Sequence, residues 1–467
     1  MIKKILACFF AIILIIPSSI IIASESEELH LNSESAILIE VTTGNVLFEK
    51  NADVRMYPAS VTKIVTALVM LDYIDVDEVI ITGVEVQAAP LYASRAGHQV
   101  LEHITGLNLV RALMLPSGND TAHTVALNVA RRHSGNHQMP LAEAEVLFAE
   151  LMNQKARSLG AVNSNFVNPH GLHDDEHFST ARDLALISMA VLENEVLASV
   201  VQEFRFEGFG AILEDETLRV QEYLWHNTNS LISSTAHFYP YTIGIKTGFT
   251  TPAGFCLAAA AEKDGKRLVS VVLGAEERAL RYDDTIALFN YGFDNFNFLQ
   301  IQHSGEIIGK IELNNPPLGL ENTITVSVWG EFSDFLSDAQ FERIEKNIIF
   351  NEDLYEICEE DGETKLFTLP IEEGQVMGQI FYHLDGTLLF SDYILADTAI
   401  FERTFQTDFT FYRNFIRENA FTLAAVPYWI GLIGIIIFII NIIIKIRRRR
   451  KRKKRHSYRL NSRKRNW

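Results

Sequence analysis

Cysteine is scarce in this 467-residue chain: Cys8, Cys256 and Cys358 are the complete set. Cys8 follows Ile-Leu-Ala, a lipoprotein-like context, but it opens an apolar run instead of ending one, so lipid attachment there is set aside. Two cysteines far apart in the body exclude a disulfide framework, and the expectation is two buried thiols. Acidic residues are missing from the C-terminus, where residues 445–467 hold 14 Lys+Arg and no Asp or Glu. The whole chain has 41 basic and 59 acidic side chains, so residues 1–444 keep 27 basic against 59 acidic. An acidic body repels phosphates, which excludes nucleic acid as its partner. Internal repeats are missing too. With 48% hydrophobic and 21% charged residues, the composition is globular and not disordered.

Both ends carry segments of their own. Met1-Ile-Lys-Lys and the apolar stretch Ile5–Ala23 read as a secretory signal over 1–23, which uncut would serve as an anchor. Residues 421–444 contain no charge. As a helix rising ~1.5 Å per residue they would extend ~36 Å, enough to cross a bilayer. The basic cluster 445–467 follows directly, so the positive-inside rule puts that tail in the cytoplasm and the body outside. The same cluster suits anionic lipid.

Between these ends two patterns succeed each other. Ala36–Val41 and Val46–Glu49 flank Thr43-Gly44-Asn45, a predicted hairpin. Residues 60–72 read as a largely buried helix after Pro58, and helical patterns dominate to about residue 200, including 107–115, 141–159 and 180–193. Strand patterns return at 241–247, 255–260 and 268–273. Hairpin, helices, then strands predicts an α+β class with helices on an antiparallel sheet. Beyond 300, Thr323–Trp329 alternates strictly, and 376–382 and 388–395 surround Asp385-Gly386, a second hairpin. This predicts a small all-β domain over 300–400. Residues 401–420, with Phe401, Phe405 and Phe409 four apart and then Tyr412, Phe415 and Ile416, read as an amphipathic juxtamembrane segment.

Three short motifs carry chemistry. Ser60-Val-Thr-Lys63 opens the buried helix, and positions i and i+3 share a face, so the Lys63 amine reaches the Ser60 hydroxyl. Lysine acts as a base toward serine only when burial or another cation depresses its pKa. Ser117-Gly-Asn119 follows Pro116, where a helix ends and a tight turn begins. It offers a hydroxyl for a proton relay and an amide for a substrate backbone. Lys246-Thr247-Gly248 lies in a strand run, where i and i+2 face the same way. Lys246 is then expected to point into a cleft, with Gly248 leaving room for a peptide added as a further strand. Singly each motif is a common short pattern. In this order, each in its required context, they are specific.

At these residues the sequence resembles the low-molecular-weight penicillin-binding proteins of the D-alanyl-D-alanine carboxypeptidase family. Pro58–Thr66, Leu115–Asp120, Asn168-Pro-His-Gly-Leu, Ser179-Thr-Ala-Arg-Asp-Leu-Ala, Gly244–Thr250 and Val272-Leu-Gly-Ala with Arg281 carry the likeness, over roughly 30–400. The resemblance implies a serine β-lactamase/transpeptidase-like catalytic domain over 30–298, then the β-domain, then the membrane helix. It implies catalytic roles for Ser60, Lys63, Ser117, Asn119 and Lys246. It further implies substrate binding by Lys246, Thr247, Gly248, the Phe249 backbone N–H and Arg281, with Thr247 and Arg281 on a terminal carboxylate. The partners implied are peptidoglycan peptide stems, with β-lactams as covalent inhibitors, and no cofactor is implied. The family often ends in a helix lying on the membrane, whereas this chain is expected to cross it.

Rival readings are weaker. A class A β-lactamase needs a deacylating glutamate in E-x-x-L-N, and none stands between Ser117 and Lys246. A transpeptidase differs only in the acceptor and stays chemically open. A metal-dependent peptidase could draw on His170, His173 and His177 with Asp174 and Asp175. The segment lacks H-E-x-x-H and reads as a loop, so no metal is expected. A catalytically silent wall-binding scaffold would not need all three motifs.

Overall fold

The computed structural model describes residues 29–214, 217–233, 236–419 and 426–463. The expected signal segment 1–23 lies outside the described residues. The chain divides into two compact units, one comprising residues up to Asn297 with Phe335–Ser337 and the other the remainder.

In the first unit the order is β1 (Ser35–Glu40), β2 (Val46–Lys50), α1 (Lys63–Leu71), β3 (Val79–Ile81), β4 (Glu102–Thr105), α2 (Gly106–Met114), α3 (Asn119–Ser134) and α4 (Leu141–Ser158). There follow α5 (Ala181–Glu193), α6 (Glu195–Val200), β5 (Arg205–Glu214), β6 (Thr217–His226), β7 (Thr242–Thr250), β8 (Gly254–Lys263), β9 (Lys266–Ala275) and α7 (Leu280–Asn295). Five strands form an antiparallel sheet in the order β2-β1-β9-β8-β7. The sheet is buried on both faces, and β1 shows why it must be. Ile37 and Ile39 join a core with α1 to α6, while Ala36 and Leu38 face the opposite core, filled by Leu288, Phe289 and Phe293 of α7. A strand buried on both sides reads as a continuous apolar run, as Ala36-Ile-Leu-Ile does. The α+β expectation therefore holds: helices cover both faces of an antiparallel sheet.

A second sheet, β3-β4-β5-β6, was not legible in the sequence. Its long hairpin β5–β6 carries Gly208 and Gly210 at inward positions. A Cβ at Gly208 would stand 2.3 Å from the Phe206 ring, and one at Gly210 would stand 2.0 Å from Glu102 Oε1. The inward face is therefore filled by neighbouring side chains, and the period-two apolar signal disappears.

The second unit is mostly β. Thr323–Val328 buries Ile324, Val326 and Val328 as its alternation requires. Val376–Leu384 and Thr387–Ala396 pair antiparallel across Asp385-Gly386, whose φ values of 50° and 82° are those of the tight turn expected there. These strands belong to a seven-stranded sheet. Phe405–Asn419 is a helix with Phe405 and Phe409 exposed; Phe401 precedes it. Val426–Arg463 is a second helix, and its stretch Val426–Lys451 contains a run long and apolar enough to cross a membrane. The expected start at 421 lies outside the described residues, and the helix continues unbroken into the basic cluster. Cys256 is buried as expected, but Cys358 is only half-buried, because its strand-end turn leaves it near the surface.

Candidate active site

Ser60 lies in a single 3-10 turn, Ala59–Thr62, and α1 begins only at Lys63. The expected helix start at residue 60 is thus tightened, which eclipses residues i and i+3 and brings Ser60 and Lys63 together. Lys63 Nζ is 2.9 Å from Ser60 Oγ and donates to the His170 carbonyl at 2.7 Å. The amine is 0% exposed. Burial first, then the positive charge of Lys246, holds its pKa well below 10.5, against a smaller opposing pull from Asp120. The turn is seated on the loop after α4. Thr66 Oγ1 donates to the Pro169 carbonyl at 2.6 Å, and Thr62 Oγ1 is 2.8 Å from His177 Nε2. Gly171, at φ +83°, passes so close that a Cβ would stand 1.9 Å from the Ala59 carbonyl oxygen.

Ser117 and Asn119 come from the connection between α2 and α3. Ser117 sits in the left-handed region at φ +63°, held by Ser94 Oγ donating to its carbonyl at 2.7 Å. The neighbouring Asp120 carboxylate accepts from the amides of Ala96, Gly97 and His98 at 2.8, 2.8 and 3.2 Å. That clamp sets the turn's conformation and had no assigned role in the sequence reading; the only signal was its place directly after the motif. Ser117 Oγ and Asn119 Oδ1 are buried without hydrogen-bond partners among the described residues. A native structure seldom leaves two adjacent polar atoms orphaned unless a ligand completes them.

The third motif runs along β7, the edge of the five-stranded sheet, beside the Ser60 turn. A Cβ at Gly248 would be 2.8 Å from the Pro58 carbonyl oxygen and 3.1 Å from Ser60 N. Lys246, expected to point into the cleft, is instead 1% exposed, with Nζ donating to the Thr247 carbonyl at 3.2 Å. Burial and the Arg281 guanidinium lower its pKa from 10.5 to about 7. Arg281 donates through Nη1 to the Gly248 and Cys256 carbonyls at 3.1 and 3.3 Å and through Nη2 to Tyr282 OH at 2.8 Å. It therefore ties β7 to β8 while its charge acts on Lys246. Thr247 Oγ1 is 2.7 Å from Thr228 Oγ1.

These elements enclose a groove of about 770 Å³ lined by Ser60, Ser117, Asn119, Thr247, Gly248, Phe249 and Arg281. Tyr92, Ser94, Leu172, Thr228, Phe255 and Arg278 also line it, and the sequence had not singled them out. Lys63 and Lys246 lie just beneath this surface. None of the described lining residues is a carboxylate, and the one imidazole among them, His173, is engaged by Tyr57 and Asp175, whereas the Lys63 amine touches Ser60 itself. The histidines of the 170–177 loop are drawn apart. His177 packs against Phe166 and Thr62, His173 stands edge-on to Tyr57 at 4.7 Å, and burial with neighbouring positive groups lowers the His170 pKa to about 2.

Comparison with known proteins agrees with this geometry. The profile of the D-alanyl-D-alanine carboxypeptidase family matches residues 22–277. D-alanyl-D-alanine carboxypeptidase DacF of Bacillus subtilis is 28% identical over 369 residues, covering 78% of this chain and 85% of that protein. DacA of Escherichia coli K12 is 28% identical over 378 residues, covering 76% and 80%. Among solved structures, the Streptomyces K15 DD-transpeptidase is 29% identical with a TM-score of 0.52, covering 57% of this chain and 98% of its own. Penicillin binding protein 5 of Haemophilus influenzae, 24% identical with a TM-score of 0.55 over 80% of this chain and 98% of its own, shares the fold. The chain belongs to the D-alanyl-D-alanine carboxypeptidase family.

Proposed function

We propose that this chain removes the terminal D-alanine from peptidoglycan pentapeptide stems through an acyl-enzyme on Ser60. The observation that carries the reading is the buried, pKa-depressed Lys63 amine 2.9 Å from Ser60 Oγ. Ser60 Oγ attacks the carbonyl between the two terminal D-alanines, and Lys63 takes the hydroxyl proton. Backbone N–H groups of Ser60 and Phe249 stabilise the oxyanion. Lys246, whose pKa of about 7 suits an acid at neutral pH, passes a proton through Ser117 to the leaving D-alanine. The C–N bond breaks, leaving an ester on Ser60. Lys63 then activates a water that cleaves the ester and restores the hydroxyl. Asn119 aligns the peptide backbone, β7 pairs with it as an edge strand beside Gly248, and Thr247 with Arg281 receives the terminal carboxylate. β-Lactams, which present a strained amide in the same place, acylate Ser60.

The catalytic domain spans 30–298 and the β-domain 300–400 in this reading. The segment 1–23 directs export, 401–420 lies at the interface, the span beginning near 421 crosses the bilayer, and the basic tail stays in the cytoplasm on anionic lipid. The body then faces its peptide substrate outside.

The test is the intact mass of the chain after exposure to penicillin, with Ser60→Ala as control. One adduct per chain, lost in the variant, is expected; an adduct of equal yield in Ser60→Ala overturns the assignment. Product analysis on a pentapeptide with and without an amine acceptor separates hydrolysis from transpeptidation, since only the latter joins the acceptor to the acyl group.

A further inference from the structure

Behind Lys63 stands a group of side chains for which the reaction has no use. His123 of α3, Glu145 of α4 and His170 of the following loop each offer one ligand-capable atom, and these atoms lie within 4.8 Å of one another. His123 is 5% exposed, and its Nδ1 is hydrogen-bonded to Glu145 Oε1. That bond to a carboxylate puts the imidazole proton on Nδ1 and leaves the lone pair on Nε2. Nε2 is buried and has no partner among the described residues. The His170 ring packs against the same imidazole, centroids 4.9 Å apart. An imidazole oriented by a carboxylate on one nitrogen and bare on the other, with a second imidazole beside it, is how metal-ligating histidines are held.

We propose that His123 and His170, each through Nε2 and with Glu145 orienting His123, bind one divalent transition-metal ion of the zinc class, water completing its coordination. Paired imidazoles select that class over the hard, oxygen-seeking cations. The site is coupled to the groove. His170 Nδ1 accepts from the Leu172 amide at 3.1 Å, so its Nε2 carries the ring proton in the metal-free state. A metal at Nε2 moves that proton to Nδ1 and frees the Leu172 N–H. A buried N–H left unpaired is costly. Leu172 lines the groove, where water can take over the bond. The loop that must adjust is the one whose His170 carbonyl holds Lys63. Metal occupancy and the setting of the catalytic amine are therefore linked.

The untagged full-length chain, stripped with a chelator in detergent micelles, is titrated with Zn²⁺ and separately with Co²⁺. Zinc is counted by elemental analysis after dialysis, and cobalt is read by its visible ligand-field bands. One zinc ion per chain is expected to be lost in His123→Phe, together with the cobalt bands. Glu145→Gln, which only weakens the orientation of His123, should bind about 10–100-fold less tightly. Melting temperature checks that each variant is folded; if His123→Phe is not, Glu145→Gln carries the test. Equal zinc content in wild type and His123→Phe, an unchanged affinity in Glu145→Gln, or no zinc on the wild type overturns the proposal.

Discussion

Replacing Lys246 with methionine should make the protein more stable and much less active. The amine is buried, donates to the Thr247 carbonyl at 3.2 Å, and titrates at about 7 in place of 10.5 because of burial and the nearby Arg281 guanidinium. In the unfolded chain the same amine binds its proton up to 10.5. A pKa gap of this size is worth about 1.4 kcal/mol for each tenfold, so at pH 7 and below the folded state carries a cost of about 5 kcal/mol. Between about 7 and 10.5 the unfolded state binds more protons than the folded state, so stability rises with pH across that window. Methionine keeps the length and apolar stem and discards the cost. Losing one hydrogen bond and some packing offsets part of it, leaving a gain of roughly 2–4 kcal/mol at pH 6. For a unit of this size that is a rise in melting temperature of roughly 4–8 °C. Differential scanning of the full-length chain in detergent at about pH 6 and again at about pH 10.5 reads both ends of the linkage window. The gain should shrink toward zero at the higher pH. Penicillin acylation by the variant should fall by about 10²–10⁴ if Lys246 supplies the leaving-group proton. A variant no more stable at the lower pH, or equally stabilised at both, would show that the fold does not depress this amine's proton affinity.

Other consequences can be measured directly. Acylation by penicillin should follow a bell in pH, rising as Lys63 loses its proton and falling through about 7 as Lys246 does; a rate flat from about pH 5 to about 9 would sink the assignment of the two lysines. Gly248→Ala would place a methyl group 2.8 Å from the Pro58 carbonyl oxygen and 3.1 Å from Ser60 N. Both neighbours are backbone, so the strand or the Ser60 turn must shift, and acylation should drop about tenfold or more with some loss of melting temperature; full activity in stopped-flow with a fluorescent penicillin counts against the close approach. Burial raises the Cys256 pKa to about 11, whereas Cys358 is half-buried. A thiol reagent on the native protein, followed by peptide mapping, should mark Cys358 and spare Cys256, and early labelling of Cys256 would contradict its burial.

Much of this protein is readable without coordinates, for local reasons. Turn chemistry at Thr43-Gly44-Asn45 and Asp385-Gly386, strict alternation at Ile324, Val326 and Val328, and the uncharged stretch before the basic cluster are each set by near neighbours in the chain. The link between Ser60 and Lys63 is also local, because three residues of helical backbone bring them together. What lay beyond the sequence depends on residues far apart in it. The β5–β6 hairpin was invisible because Phe206 and Glu102 fill the space above Gly208 and Gly210, a fact of packing that no period-two pattern records. The Asp120 clamp joins the Ser117 turn to a loop more than twenty residues earlier. Lys246 lies beneath the groove surface and not in it, and the charge that acts on it comes from Arg281, in a helix beyond two more strands. The pairing of His123 with His170 exists only because α3 and the loop after α4 are packed against the same buried helix. Sequence alone determined which chemical groups this chain carries and the local shapes that present them. Tertiary packing decided their burial, hence their proton affinities, since desolvation and charge proximity are properties of the assembled interior and not of the chain.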